Sequence, residues 1–80
     1  MATADDQMVR DLEREIEAYV ALYPHAADSA DGIRSWWLDA RREDASDEQV
    51  QRALAELERR GVLSRTELPD GHVIYRAANG

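Results

Sequence analysis

The chain has 80 residues, 44% of them apolar, with no cysteine and a formal charge of -7 from 17 acids and 10 arginines. That is one small domain and no more, and without Cys there are no disulfides, thiolate zinc sites or thiol nucleophiles. No apolar run approaches the ~20 residues of a membrane span, and the polar, acidic start Met1 to Asp6 is unlike a signal peptide, so a cytoplasmic protein is expected.

The acids are unevenly spread. Six acids and two arginines fall in Met1 to Tyr23, six and three in Pro24 to Asp47, and five and five in Glu48 to Gly80. Only the last third is neutral. Non-specific DNA affinity comes mainly from cations displacing counterions at phosphates, so this balance disfavours a general nucleic-acid role.

From Asp6 to Tyr23 the residues Met8, Val9, Leu12, Ile16, Tyr19, Val20 and Tyr23 recur at three- and four-residue steps, which predicts a helix with one buried stripe over 5–23. Asp5 or Asp6 is the expected cap and Pro24 the stop. After a short connection, Asp28 or Ser29 caps a second helix over 28–38, marked by Ala30, Ile33, Trp36, Trp37 and Leu38. Neighbouring helical residues point about 100° apart, so only one of Trp36 and Trp37 can sit mid-stripe. The other belongs at the edge. Asp39 to Ala45 lacks a stripe and suits a loop.

Ser46-Asp47-Glu48-Gln49 fits a capping box opening a third helix over 46–60. Its stripe is Val50, Ala53, Leu54 and Leu57, and Gly61 falls where a left-handed residue would end it, with Leu57 and Val62 at the paired positions of a Schellman motif. Val62 to Leu68 and His72 to Ala77 flank Pro69-Asp70-Gly71 and predict a hairpin over 62–77. Leu63, Val73 and Tyr75 are its expected inward residues. The predicted class is α+β: mainly helical, with a small two-stranded β-hairpin.

This order of elements resembles the winged helix-turn-helix superfamily over about Ala26 to Ala77. The run Val50-Gln51-Arg52-Ala53-Leu54-Ala55-Glu56-Leu57-Glu58-Arg59-Arg60-Gly61-Val62-Leu63 is its most specific part. The resemblance implies that Ser46 to Arg60 is a recognition helix for the major groove and that the hairpin is a wing lying over the backbone. Many members of such folds bind protein instead, so the site must decide the function.

The residues at that site argue against phosphate. Asp47 and Glu48 occupy the first turn, where they suit the helix dipole but repel an anion. Glu48, Arg52, Glu56 and Arg60 form a four-residue ladder of alternating sign, each pair contributing about 0.2–0.5 kcal/mol. Gln49, Gln51 and Arg52 remain as candidates for base contacts, and Arg59, Arg65 and Arg76 for phosphate contacts. The turn at Pro69 to His72 carries an acid and a His where an inserting wing would carry cations.

The preferred expectation is therefore a non-enzymatic regulatory module that binds a protein, through Trp36 or Trp37 with Arg41 and Arg42, because Trp and Arg dominate interface hot spots. The alternative is a sequence-specific DNA-binding transcriptional regulator acting as a homodimer, with the long first helix as a dimer element. His25 and His72 stand 47 positions apart, outside any ligand-spaced cluster. Gly32, Gly61, Gly71 and Gly80 form no phosphate loop, and Ser29, Ser35, Ser46 and Ser64 lack the local signature of an activated nucleophile. No metal, cofactor or catalytic role is expected.

Overall fold

The computed structural model describes residues 3–38 and 45–78. Helix α1, Ala4–Leu22, opens on Thr3, whose Oγ accepts from the Asp6 N–H at 3.1 Å while the Asp6 carboxylate accepts from the Thr3 N–H at 3.3 Å. The cap is thus Thr3 and not Asp5 or Asp6. Both acids fall inside the first turn, where a carboxylate complements the dipole from within the helix. The helix ends at Tyr23, with Pro24 unable to continue the ladder.

Strand β1, Ala27–Asp28, follows. Ser29 then caps helix α2, Ala30–Gly32, by accepting from the Gly32 N–H at 3.2 Å. The expected continuous helix over 28–38 is replaced by this single α-turn and a π-helical turn over Ile33–Trp37, closed by the Leu38 N–H reaching the Ile33 carbonyl at 3.3 Å. Single π turns fit one extra residue into a helix. Here the turn sends Ile33 and Trp37 into the core and leaves Trp36 outside.

Helix α3, Asp47–Arg59, has the predicted capping box at Ser46 and Gln49. It ends as predicted. Gly61 takes φ 79°, the Val62 N–H donates to the Leu57 carbonyl at 2.9 Å, and the Gly61 N–H donates to that of Glu58 at 3.1 Å. Strands β2, Leu63–Glu67, and β3, Val73–Ala77, form the hairpin, turning where Gly71 adopts φ 91°.

Among the described residues the sheet has three strands in the order β1-β3-β2, all antiparallel: the expected two-stranded hairpin is present, and β1 adds a third strand that the sequence did not predict. Ala27 lies opposite Arg76 and Asp28 opposite Tyr75. A two-residue strand offers no alternation to read, which is why periodicity missed it.

The architecture is a small mixed α+β domain whose core lies between the helices and the inner face of the sheet. Leu12 and Ile16 from α1, Ile33, Trp37 and Leu38 from the π turn and its end, Val50, Ala53, Leu54 and Leu57 from α3, and Leu63 and Tyr75 from the hairpin all pack there. Burying each large aliphatic side chain contributes about 1.5–3 kcal/mol. Among the described residues no helix is long and apolar enough to cross a membrane.

Candidate functional site

Helices α1 and α3 pack side by side, and the seam between them collects charge. The stripe that buries Leu12 and Ile16 turns Asp6, Glu13 and Glu17 toward α3, because positions seven and four apart share a helix face. Arg52 of α3 donates to Asp5 and, at 3.0 Å, to Asp6. Arg60 donates to Glu17 and, at 3.2 Å, to Glu13. Glu13 is only 8% exposed, and Arg60 supplies the opposite charge beside this buried carboxylate.

The predicted four-residue ladder on α3 is thus replaced by bonds across the helix pair. Arg52 and Arg60 turn to α1, while Glu56 is taken by Arg59 through a two-pronged contact. The Arg52 guanidinium, with the Thr3 backbone and hydroxyl, holds the Asp6 carboxyl below its ordinary value, and Arg59 does the same for Glu56. Arg52 and Arg59 are raised in turn by the hydrogen bonds to these carboxylates.

Between the helices runs an open groove of about 690 Å³ lined by Arg10, Arg14, Arg52, Arg59 and Arg60, and by Asp6, Glu13, Glu17 and Glu56. Half of the chain's 10 arginines therefore gather on one side. They do not make a positive strip, because carboxylates are interleaved along the whole groove.

The candidate base-contacting residues fare unequally. Gln49 accepts from the Ser46 N–H at 2.9 Å and donates to Asp5 at 2.5 Å, so both ends of its amide are engaged. Asp5 thus ties Gln49 and Arg52 together at the start of α1. Gln51 is exposed on α3 beside Glu48, Ala55 and Glu58. Asp47 binds Arg34, whose other nitrogen donates to the Ala45 carbonyl at 2.6 Å, fastening the π turn to the start of α3.

The phosphate candidates are scattered. Arg59 is held by Glu56. Arg65 lies opposite Tyr75, and Arg76 opposite Ser64, so the two hairpin arginines alternate to opposite faces of the sheet. Neither has a carboxylate partner among the described residues. At the hairpin turn His72 contacts Asp70 through Nδ1 at 2.8 Å, and the His72 backbone N–H and ring together lower the Asp70 carboxyl.

The indole pair divides as the helical angle requires. Trp37 is buried and stacks on Tyr19, with centroids 4.7 Å apart and planes 11° from parallel. Tyr19 in turn meets Tyr23 at 4.8 Å. Trp36 is 77% exposed, the most exposed large apolar side chain among the described residues. Arg41 and Arg42, the other two candidates for a protein interface, lie outside the described residues.

Sequence reasoning missed the roles of Asp5, Glu13 and Arg34. Asp5 and Glu13 act across 44 or more positions of sequence, and no local spacing announces such a partner. Comparison of the chain with protein-family models, with curated proteins and with solved structures finds no match.

Proposed function

We propose that this chain is a non-enzymatic winged-helix module that acts in regulation by binding another protein. The element order α1-β1-α2-α3-β2-β3, with β1 joined to the hairpin through β3, supports the winged-helix reading. The observation that carries the functional part is the state of α3. Its two arginines nearest α1 are bonded to carboxylates of that helix, while Glu48 and Glu58 remain exposed. A helix so arranged has little to offer a phosphate backbone, whereas exposed Trp36 supplies the large apolar anchor that a protein interface uses.

DNA recognition is the second reading, favoured by the carboxylate-free Arg65 and Arg76 and by exposed Gln51. One pair of measurements separates the two. Fluorescence anisotropy against random duplex DNA at low and then moderate salt is expected to give no saturable binding. Affinity capture is expected to retain a partner with the native chain and lose it with Trp36→Ala, while the melting temperature is unchanged. Tight DNA binding with a steep salt slope, or capture indifferent to Trp36, would contradict the proposal.

A further inference from the structure

Strand β2 is an open edge of the sheet. Its backbone polarity follows from two bonds that bracket the hairpin ladder. The Ala78 N–H donates to the Val62 carbonyl at 3.0 Å, and the Leu68 N–H donates to the His72 carbonyl at 2.7 Å. Both pairs keep the register that sets Ser64 opposite Arg76 and Thr66 opposite Ile74. Hydrogen-bonded pairs alternate along an antiparallel ladder, so residues 62, 64, 66 and 68 direct their amides to β3. The N–H and C=O groups of Leu63, Arg65 and Glu67 therefore point out of the sheet, toward the open edge.

The side chains along this edge are complementary to a copy of themselves. Arg65 and Glu67 share one face of the strand, both are exposed, and neither makes a hydrogen bond or ion pair within the described residues. An antiparallel pairing of two β2 strands about a twofold axis at Thr66 sets each Arg65 opposite the Glu67 of the other copy. It sets Thr66 against Thr66 and pairs the outward amides of residues 65 and 67 reciprocally. Shifting the axis by one residue either way puts Arg65 against Arg65 or Glu67 against Glu67, and like charges directly opposite are destabilising. Pro69, with no N–H, ends the pairing at Leu68.

We infer that the chain self-associates through edge-to-edge antiparallel pairing of β2, forming one continuous six-stranded sheet across two copies. The occupant of the open edge is a second copy because the Arg-Thr-Glu order matches its own reverse in charge. This interface lies on β2 and uses neither Trp36 nor the charged residues of the α1–α3 seam, so it stands or falls independently of the proposed partner binding. A short strand pair buries a modest area, so association is expected at the weak end of protein interfaces.

Sedimentation equilibrium of the full chain from about 10 μM to about 1 mM tests this, since weak interfaces dissociate within that range. The average mass is expected to rise from one chain toward two. Glu67→Arg and Arg65→Glu, each placing like charges at two symmetry-related positions, are expected to weaken association roughly tenfold. The double exchange, Arg65→Glu with Glu67→Arg, restores the opposite-sign pairs and is expected to recover it to within about threefold. Circular dichroism confirms the fold of each variant. A mass of one chain throughout, single variants that associate like the native chain, or a double exchange as weak as either single would each overturn the inference.

Discussion

The α1–α3 seam and the β2–β3 hairpin each carry arginines that a sequence reading offers to DNA, yet the two regions treat them differently. In the seam, Arg52 and Arg60 meet carboxylates of α1, one of them the nearly buried Glu13. On the hairpin, Arg65 and Arg76 sit on opposite faces of the sheet with no carboxylate partner among the described residues. The difference lies in what is packed alongside. A helix laid against α3 brings a second row of side chains to it, whereas the strand partners of Arg65 and Arg76 are Tyr75, Ser64 and Ala27, none of them a carboxylate. The electrostatic character of α3 is thus set by α1, a segment that precedes the most specific part of the winged-helix resemblance.

The comparison breaks most severely if the apolar base of the seam is removed. Leu12 is fully buried under α1, and Leu12→Ala is expected to cost about 2–5 kcal/mol, read as a loss of Tm and of the denaturation midpoint. A smaller loss follows from the charge layer. Arg60→Ala strands the Glu13 carboxylate and is expected to cost about 1–3 kcal/mol in urea denaturation. Glu13→Gln made together with it should recover part of that loss, because a neutral amide is cheaper to bury than an unpaired charge. On the hairpin, Arg65→Ala and Arg76→Ala should each move stability by no more than about 0.5 kcal/mol. An effect there as large as at Arg60 would erase the distinction between the regions.

Acid acts on both regions. Asp6, Glu56 and Asp70 all have carboxyls depressed by hydrogen bonds in the folded chain. A depressed carboxyl stabilises the fold above its unfolded value and loses that contribution as pH falls through the folded one. Thermal melts are therefore expected to be flat at neutral pH and to decline below about pH 4, near the unfolded carboxylate range. Arg52→Gln should flatten the part of that decline that belongs to Asp6.

Much of the fold could be read from the residues alone. The capping box at Ser46 and Gln49, the Gly61 ending, the hairpin turn and its inward Leu63 and Tyr75 each have a local chemical signal, and each is found. The division of Trp36 from Trp37 followed from helical geometry, although which of them faced outward did not. What escaped notice was non-local or too short to have a period. The two residues of β1 gain strand geometry only by pairing with β3. The π turn inserts an irregularity that no apolar spacing marks. The charge pattern on α3 was legible as alternating signs, but its partners were misassigned: a helix shows its own four-residue neighbours in sequence and hides those supplied by another helix. Exposed Gln51 was found where expected, while Gln49 was diverted by Asp5, a contact spanning 44 positions.

The most direct measurement is the titration of the Asp6 carboxyl, followed by its carbon chemical shift in the native chain and in Arg52→Gln. If α1 holds the cations of α3 in solution, Asp6 titrates below the ordinary Asp value of about 3.9 in the native chain and moves back toward it in the variant. Identical midpoints in the two proteins would mean that Arg52 is not bound there, and that α3 keeps its charge available to an anionic partner.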